Sequence, residues 1–407
     1  MRLPDSLRVL RLRDFRLLFI GHTVSVFGDR MLNLALAFAV LEVGGSAAEV
    51  GLVLACRVLP LVGTVLVGGV IADRGSRRAV MVAADLARVA SQGAMAVLLL
   101  AGDAEVWMLA ALAGLTGAAG GFFQPAATGL LPQVVPPEQL QPANGLKASA
   151  ASASEIAGPL AGGVLVAAAG AGWAIAIDAA TFGFSAVCLA LLRVPGRPQA
   201  ERAGFLTDLR EGWTAFTART WVWTFVVYFS IANIFWGAWT ALGPVVADRD
   251  LGGATAWGTV LAALGLGALA GSLLSTRIRP RRPLVHVAFM EGLFSIQLAF
   301  LAAVSFVPVL AVGAFISGAG MTLGMTVWES TLQRQIPDES LSRVMSYEWF
   351  GSLAFYPLGL AIWGPVAAAI GISAALWLAF ALFLASIAAI LAVPDIRRLA
   401  APDQQLV

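Results

Sequence analysis

Long uninterrupted apolar runs, separated by short polar turns, organise this chain from end to end. A crossing of the hydrocarbon core takes about 20 mostly apolar residues. About twelve such segments recur, near 17–41, 48–72, 79–101, 107–131, 145–169, 173–194, 221–246, 255–275, 284–304, 307–331, 344–370 and 372–393. The strands of a membrane barrel would alternate polar and apolar side chains in segments of about 10 residues. These runs are continuous, so the spacing predicts helices. The longest polar segment, 194–220, opens on Arg193-Val-Pro195-Gly196-Arg197-Pro198 and carries an amphipathic stretch around Phe205 to Trp213 suited to the membrane surface. It divides the chain into an N-terminal half, 1–194, a cytoplasmic linker, 195–220, and a C-terminal half, 221–407, with a short cytoplasmic tail.

With 59% hydrophobic and 12% charged residues over 407 positions, the chain holds more apolar surface than a soluble fold of this length can bury. The net charge of +2 says little, but its distribution orients the chain. Arg2, Arg8, Arg11, Arg13 and Arg16 precede the first span, Arg74, Arg77 and Arg78 follow the second, and Arg193, Arg197, Arg202 and Arg210 follow the sixth. Arg277, Arg279, Arg281 and Arg282 follow the eighth, Arg334 and Arg343 the tenth, and Arg397 and Arg398 the twelfth. The opposite loops carry Glu42, Glu49, Asp103, Glu105 and the Asp248-Arg249-Asp250 cluster. The positive-inside bias therefore predicts both termini in the cytoplasm. The first apolar run is a full span rather than a short signal-peptide core, so no cleaved signal is expected. Lys147 is the only lysine, an arginine bias that fits a GC-rich bacterial genome. A multi-pass protein of the bacterial inner membrane is expected.

Little in the sequence offers catalysis. Cys56 and Cys188 fall inside predicted spans, which argues against a disulfide framework or a cysteine metal site. The two histidines, His22 and His286, form no metal-binding cluster, and no G-x-x-x-x-G-K-[ST] loop for ATP is present. No metal, cofactor, enzymatic activity or nucleic-acid partner is expected.

The two halves repeat at an offset of roughly 200 residues. Leu131-Pro-Gln-Val-Val135-Pro-Pro-Glu138-Gln-Leu140 matches Leu332-Gln-Arg-Gln-Ile336-Pro-Asp-Glu339-Ser-Leu341, and Gly69-Val-Ile-Ala-Asp73 matches Gly271-Ser-Leu-Leu-Ser275. In each case the matched segments end corresponding spans of the two halves.

The hinge Gly69-x-x-x-Asp73-Arg74-x-x-Arg77-Arg78 resembles the signature between helices 2 and 3 of the major facilitator superfamily, with Ser76 where a Gly is usual. Span count, topology, linker and repeat extend the resemblance over the whole chain. It implies an all-α polytopic membrane protein of 12 transmembrane helices in two pseudo-symmetric six-helix bundles. In the fifth span, Ser154-Glu155-Ile-Ala-Gly158-Pro159-Leu-Ala-Gly162-Gly163 resembles the antiporter signature of drug exporters, with Ser154 for the first Gly. Small residues at this spacing also let helices approach closely. Further segments, among them Gly28-Asp29-Arg30 and Ile177-Asp178-Ala-Ala-Thr-Phe182, resemble the branch of enterobactin-type siderophore exporters and macrolide efflux proteins. The fourth span departs from that branch. Many proton-coupled drug exporters carry an Arg there, whereas Gly114-Leu-Thr-Gly-Ala-Ala-Gly-Gly-Phe122-Phe123-Gln124-Pro125 has none.

Charges in hydrocarbon are costly, by a few kcal/mol or more each, and so mark function. Asp29 is about twelve residues into the first span, about 18 Å deep at 1.5 Å per residue. Arg57 reaches a similar depth from the opposite side, so Asp29 and Arg57 are candidates for a protonatable switch, or equally for a permanent ion pair. Glu155, also near mid-depth, is a further proton-coupling candidate or a polar packing contact. Glu291 and Asp178 read as structural, and Asp85 with Arg88, one turn apart, as an i,i+3 pair.

For gating, the resemblance implies a latch between Gly69, Asp73, Arg74, Arg77 and Arg78 and the start of the eleventh helix at Arg343, although topology alone also explains the arginines. Substrate contacts are expected from the central helices, at Gln124, Tyr228, Asn233, Trp236, Trp239, Tyr347 and Tyr356, where aromatic walls suit a bulky amphiphile. Trp328, Glu329 and Glu348 read as gate or interfacial residues.

The expected function is proton-coupled efflux of small amphiphilic molecules, such as a drug, macrolide or siderophore, by alternating access of a monomer, with protons and the lipid bilayer as further partners. A proton-coupled importer or lipid flippase on the same fold is the alternative, and a membrane sensor without flux a third.

Overall fold

The computed structural model describes residues 9–194, 213–214, 216–275, 277–303 and 306–399. Among the described residues the chain is helical with no strand. The described residues contain 12 helices long and apolar enough to cross a membrane. In the first half these are α1 (Arg13–Glu42), α2 (Ala47–Arg74), α3 (Arg77–Ala101), α4 (Val106–Val134), α5 (Leu140–Ala169) and α6 (Ala171–Ala190). In the second they are α7 (Thr220–Val246), α8 (Ala254–Ser275), α9 (Pro283–Gly292 and Phe294–Ala303), α10 (Val307–Gln335), α11 (Asp338–Leu353 and Tyr356–Ile370) and α12 (Ile372–Ala392). The amphipathic stretch foreseen from Phe205 lies outside the described residues, apart from Trp213 at its end.

Two predicted spans are interrupted. α9 breaks after Gly292, and α11 breaks at Ala354 and Phe355, immediately before Pro357 at the start of its second piece. Proline has no N–H to give the preceding turn, so the i to i−4 ladder stops there.

The chain divides into two compact units, Met1–Ala200 with Ala247–Ala262, and Glu201–Val246 with Ala263–Val407. Within the first, α2 and α4 are the most extensively packed pair, and α6 packs on both α1 and α3. Glycines make the first of these contacts possible: a Cβ at Gly117 would overlap the Arg57 carbonyl, and one at Gly68 or Gly121 would strike the facing helix. The second unit repeats the device between α8 and α10, with Gly267 against Phe315, Gly271 against Ala319 and Gly318 against Leu264. Small residues let backbones close to van der Waals distance, the main attraction left once lipid surrounds the helices.

The repeat reaches the turns. Gly170 alone joins α5 to α6 at φ 87, ψ 163, and Gly371 alone joins α11 to α12 at φ 88, ψ 151. That region of backbone space is open essentially to glycine alone. Large apolar side chains such as Leu59, Val97, Trp107, Leu115 and Leu273 stand exposed on the helix faces, as hydrocarbon surroundings favour.

Candidate functional site

Asp29 and Arg57 meet. The Arg57 Nη2 donates to Asp29 Oδ1 at 2.6 Å, and its Nη1 donates to the Oδ1 of Asn33, one turn further along α1. Arg57 is 13% exposed and Asp29 41%, so the pair has one buried and one accessible end. The glycine face of α4 brings α2 to this position. Gly117 lies on the Arg57 carbonyl, and the Thr64 hydroxyl, two turns further along α2, lies 2.9 Å from the Ala118 carbonyl and 2.7 Å from that of Pro60. The fourth helix therefore serves the site by its missing side chains.

Glu155 has a partner that sequence reading did not assign: Arg30 Nη2 donates to its Oε1 at 3.0 Å. Successive helical residues point about 100° apart, so Asp29 faces α2 while Arg30 faces α5. The adjacency of the two charges was the available signal. Around them the small residues of α5 split between two neighbours. Gly158 and Gly162 seat on Arg30 and Met31 of α1, whereas Gly163 lies on Ala254 of α8 and the Pro159 carbonyl on Gly258. Thr255 Oγ1 adds a 3.3 Å hydrogen bond to the Gly163 carbonyl. The motif thus sets the spacing of three helices.

At the hinge α2 stays helical to Arg74, and Ser76 caps α3 by accepting from the Ala79 N–H at 3.3 Å. A serine is a good N-cap, which gives the departure from the usual Gly a structural use. The side chains of Gly69, Asp73, Arg74 and Arg343 lie outside the described residues. Arg77 donates to the Gly129 carbonyl on α4, and Arg78 donates to the carbonyls of Leu192 at 2.9 Å and Ala190 at 2.6 Å. These last are orphan acceptors at the C-terminal end of α6, where a cation also meets the negative end of the helix dipole.

The aromatic candidates differ in accessibility. Gln124 is exposed and Trp236 partly so, its ring tilted against that of Phe294 with centroids 5.3 Å apart. Tyr228 and Trp239 are buried. Asn233 pins α7 to α11, its Nδ2 donating to the Phe229 carbonyl at 3.1 Å and the Ser352 carbonyl at 3.0 Å. Tyr356 Oη approaches Thr240 at 3.5 Å, and Tyr347 packs against Trp213 and Phe216. Trp328 is fully buried among Phe225, Phe229 and Trp221, with its indole N–H donating to Glu348 at 3.2 Å. Glu348 also accepts from Ser352 at 3.3 Å.

Asp85 and Arg88 form their i,i+3 pair at 3.6 Å, fully inside the first unit instead of on its surface. The Arg88 guanidinium lies over the rings of Phe123 and Phe182, at 4.9 and 4.7 Å. No group of three or more His, Cys, Asp or Glu able to hold a metal occurs among the described residues.

Residues 18–348 match the Major Facilitator Superfamily. The chain is 28% identical over 377 residues to the multidrug efflux pump Tap of Mycobacterium tuberculosis, covering 88% of each protein. It is 27% identical over 201 residues to macrolide efflux protein A of Streptococcus pyogenes, covering 49% of this chain and 50% of that one. In fold it is similar to the nucleoside transporter NupG (TM-score 0.73, 11% identity, 93% of this chain and 98% of that one). It is also similar to a bacterial homolog of the human lysosomal transporter Spinster in an inward-facing conformation (TM-score 0.69, 16% identity, 98% and 96%). With the match running from the first span into the eleventh helix and the fold shared over nearly the whole length, the chain belongs to the major facilitator superfamily and is a membrane transporter, not an enzyme.

Proposed function

We propose that this transporter is a proton-coupled exporter of small amphiphilic molecules, acting by alternating access in the bacterial plasma membrane. Similarity to Tap over 88% of both chains supports export, and the half-similarity to a macrolide efflux protein supports a bulky amphiphilic cargo. The observation that carries the coupling is the Asp29–Arg57 pair, with an accessible carboxylate on a largely buried guanidinium. Protonation of Asp29 removes the charge that holds Arg57, and the freed guanidinium can then exchange partners during the cycle. Glu155, paired with Arg30 and also accessible, is a secondary proton acceptor. The working unit is a monomer of two halves, 1–194 and 221–407, joined by the cytoplasmic segment 195–220.

The test is flux in proteoliposomes holding the protein inside-out with an acid lumen. A radiolabelled macrolide and a fluorescent amphiphilic dye accumulate in the lumen, a protonophore abolishes accumulation, and Asp29→Asn loses it while still binding the probe. Unchanged flux in Asp29→Asn removes Asp29 as the switch, and gradient-driven movement of probe in the opposite sense, or of lipid alone, replaces export by import or lipid flipping.

A further inference from the structure

Beside the accessible pair lies a fully buried acid that the coupling scheme leaves unused. Asp178 on α6 has no exposed surface, and its Oδ2 has no hydrogen-bond partner. Its Oδ1 lies 3.2 Å from Thr181 Oγ1. That hydroxyl also lies 2.7 Å from the backbone carbonyl of Asp178, the shorter contact. A threonine hydroxyl has one proton and spare lone pairs. Once its proton goes to the carbonyl, the contact with Oδ1 lacks a donor unless the carboxyl itself carries a proton.

The charge balance points the same way. Asp178 is faced by Asp29 from α1 and Arg57 from α2, and Arg88 of α3 is faced in turn by Asp29, Asp85, Arg57 and Asp178. The two ionisable groups of α5 look elsewhere, Glu155 to Arg30 and Lys147 to His22. Three carboxyl groups therefore share two guanidiniums. Asp29 has its ion pair at 2.6 Å and Asp85 has one at 3.6 Å. Asp178 has no such partner among the described residues, and an uncompensated carboxylate away from water is severely penalised. Gln92 faces it from α3, fully buried, with neither amide atom closing a hydrogen bond of ordinary geometry.

We propose that Asp178 is a second proton-binding residue, protonated at Oδ1 with Thr181 Oγ1 accepting the bond, and that it shares one proton with Asp29 during the transport cycle. Gly28 provides the link. A Cβ there would overlap both Asp178 Oδ1 and Thr181 Oγ1, so the backbone of α1 rests on the acid one residue from Asp29. With the Asp29–Arg57 pair closed, the proton sits on Asp178. When the pair opens, the Oδ1–H bond of Asp178 breaks and an O–H bond forms on an Asp29 carboxylate oxygen, leaving the net charge of the cluster unchanged. The sharing step rests on Asp29 being the coupling residue; the protonated state of Asp178 does not.

Infrared spectroscopy of the full-length protein in lipid membranes at neutral pH, without substrate, tests it. A carboxylic-acid C=O band above the amide I region, shifted by deuteration, is expected in the wild type and is lost in Asp178→Asn. Thr181→Val, which removes only the acceptor, is expected to keep the band and move it to higher frequency, and Asp29→Asn to leave it in place. A wild-type spectrum without the band at any sodium concentration, a band removed by added sodium at fixed pH, or a band unmoved by both Asp178→Asn and Thr181→Val overturns the proposal. In flux assays Asp178→Asn is expected to lose gradient-driven transport but keep probe binding. Wild-type protein that shows the band yet no gradient-driven flux would refute proton-coupled export and leave the protonated Asp178 standing.

Discussion

Replacing Gly117 by Ala tests whether helix packing holds the Asp29–Arg57 pair. A Cβ at this position would overlap the Arg57 carbonyl oxygen and lie 2.8 Å from its carbonyl carbon, where ordinary contact begins at 3.4 Å. One helix must therefore retreat by at least about 0.6 Å, and by more at the oxygen, in an interior packed too closely to absorb it. Overpacking of this kind costs about 1–3 kcal/mol, partly offset by up to about 1 kcal/mol that Ala gains over Gly in a helix. Gly63→Ala supplies the control, because on α2, the helix that Gly117 of α4 packs against, nothing lies within 4 Å of its Cβ. The propensity gain is common to both variants, so the difference between them isolates the clash at about 1–3 kcal/mol. Reversible unfolding in mixed detergent micelles measures it. Because the displaced carbonyl belongs to Arg57, gradient-driven flux should fall in Gly117→Ala and hold in Gly63→Ala. Equal stability and equal flux in the two variants would refute the reasoning.

Three other outcomes follow from the geometry. Arg30 and Glu155 are 39% and 44% exposed, so a double-mutant cycle with Arg30→Gln and Glu155→Gln should give a coupling of no more than about 1 kcal/mol, weakening in high salt. Gly371→Ala meets no atom within 4 Å, so its whole cost is backbone strain at φ +88, about 1–3 kcal/mol in the same unfolding assay. Arg78→Gln loses charged donors to the carbonyls of Ala190 and Leu192, with a cost of about 1–3 kcal/mol and faster amide exchange confined to the last turn of α6.

Most of the architecture was legible in advance because membrane spans are set by length and hydropathy, which are local quantities. The predicted segment 48–72 corresponds to Ala47–Arg74 and 372–393 to Ile372–Ala392. The exceptions arise where local backbone chemistry competes, as at Pro357 in α11, which ends a helix that apolar content alone would continue. Depth arithmetic also brought Asp29 and Arg57 to a common level, since rise per residue is constant along a helix. It could not say which way each side chain faces. Arg30 went unassigned for that reason, and the Asp85–Arg88 one-turn pair was legible but not its burial, with the Arg88 guanidinium over the rings of Phe123 and Phe182.

The sequence by itself determined the number of spans, the internal duplication and the superfamily, because each depends on composition along the chain. Only the tertiary structure decided which charges pair. Asp29 finds Arg57 while its neighbour Arg30 finds Glu155, and Asp178 is left beside Thr181 with no ion pair among the described residues. Those outcomes depend on the angle between successive side chains and on how closely glycine faces let one helix approach the next, and neither quantity is carried by a single segment read alone.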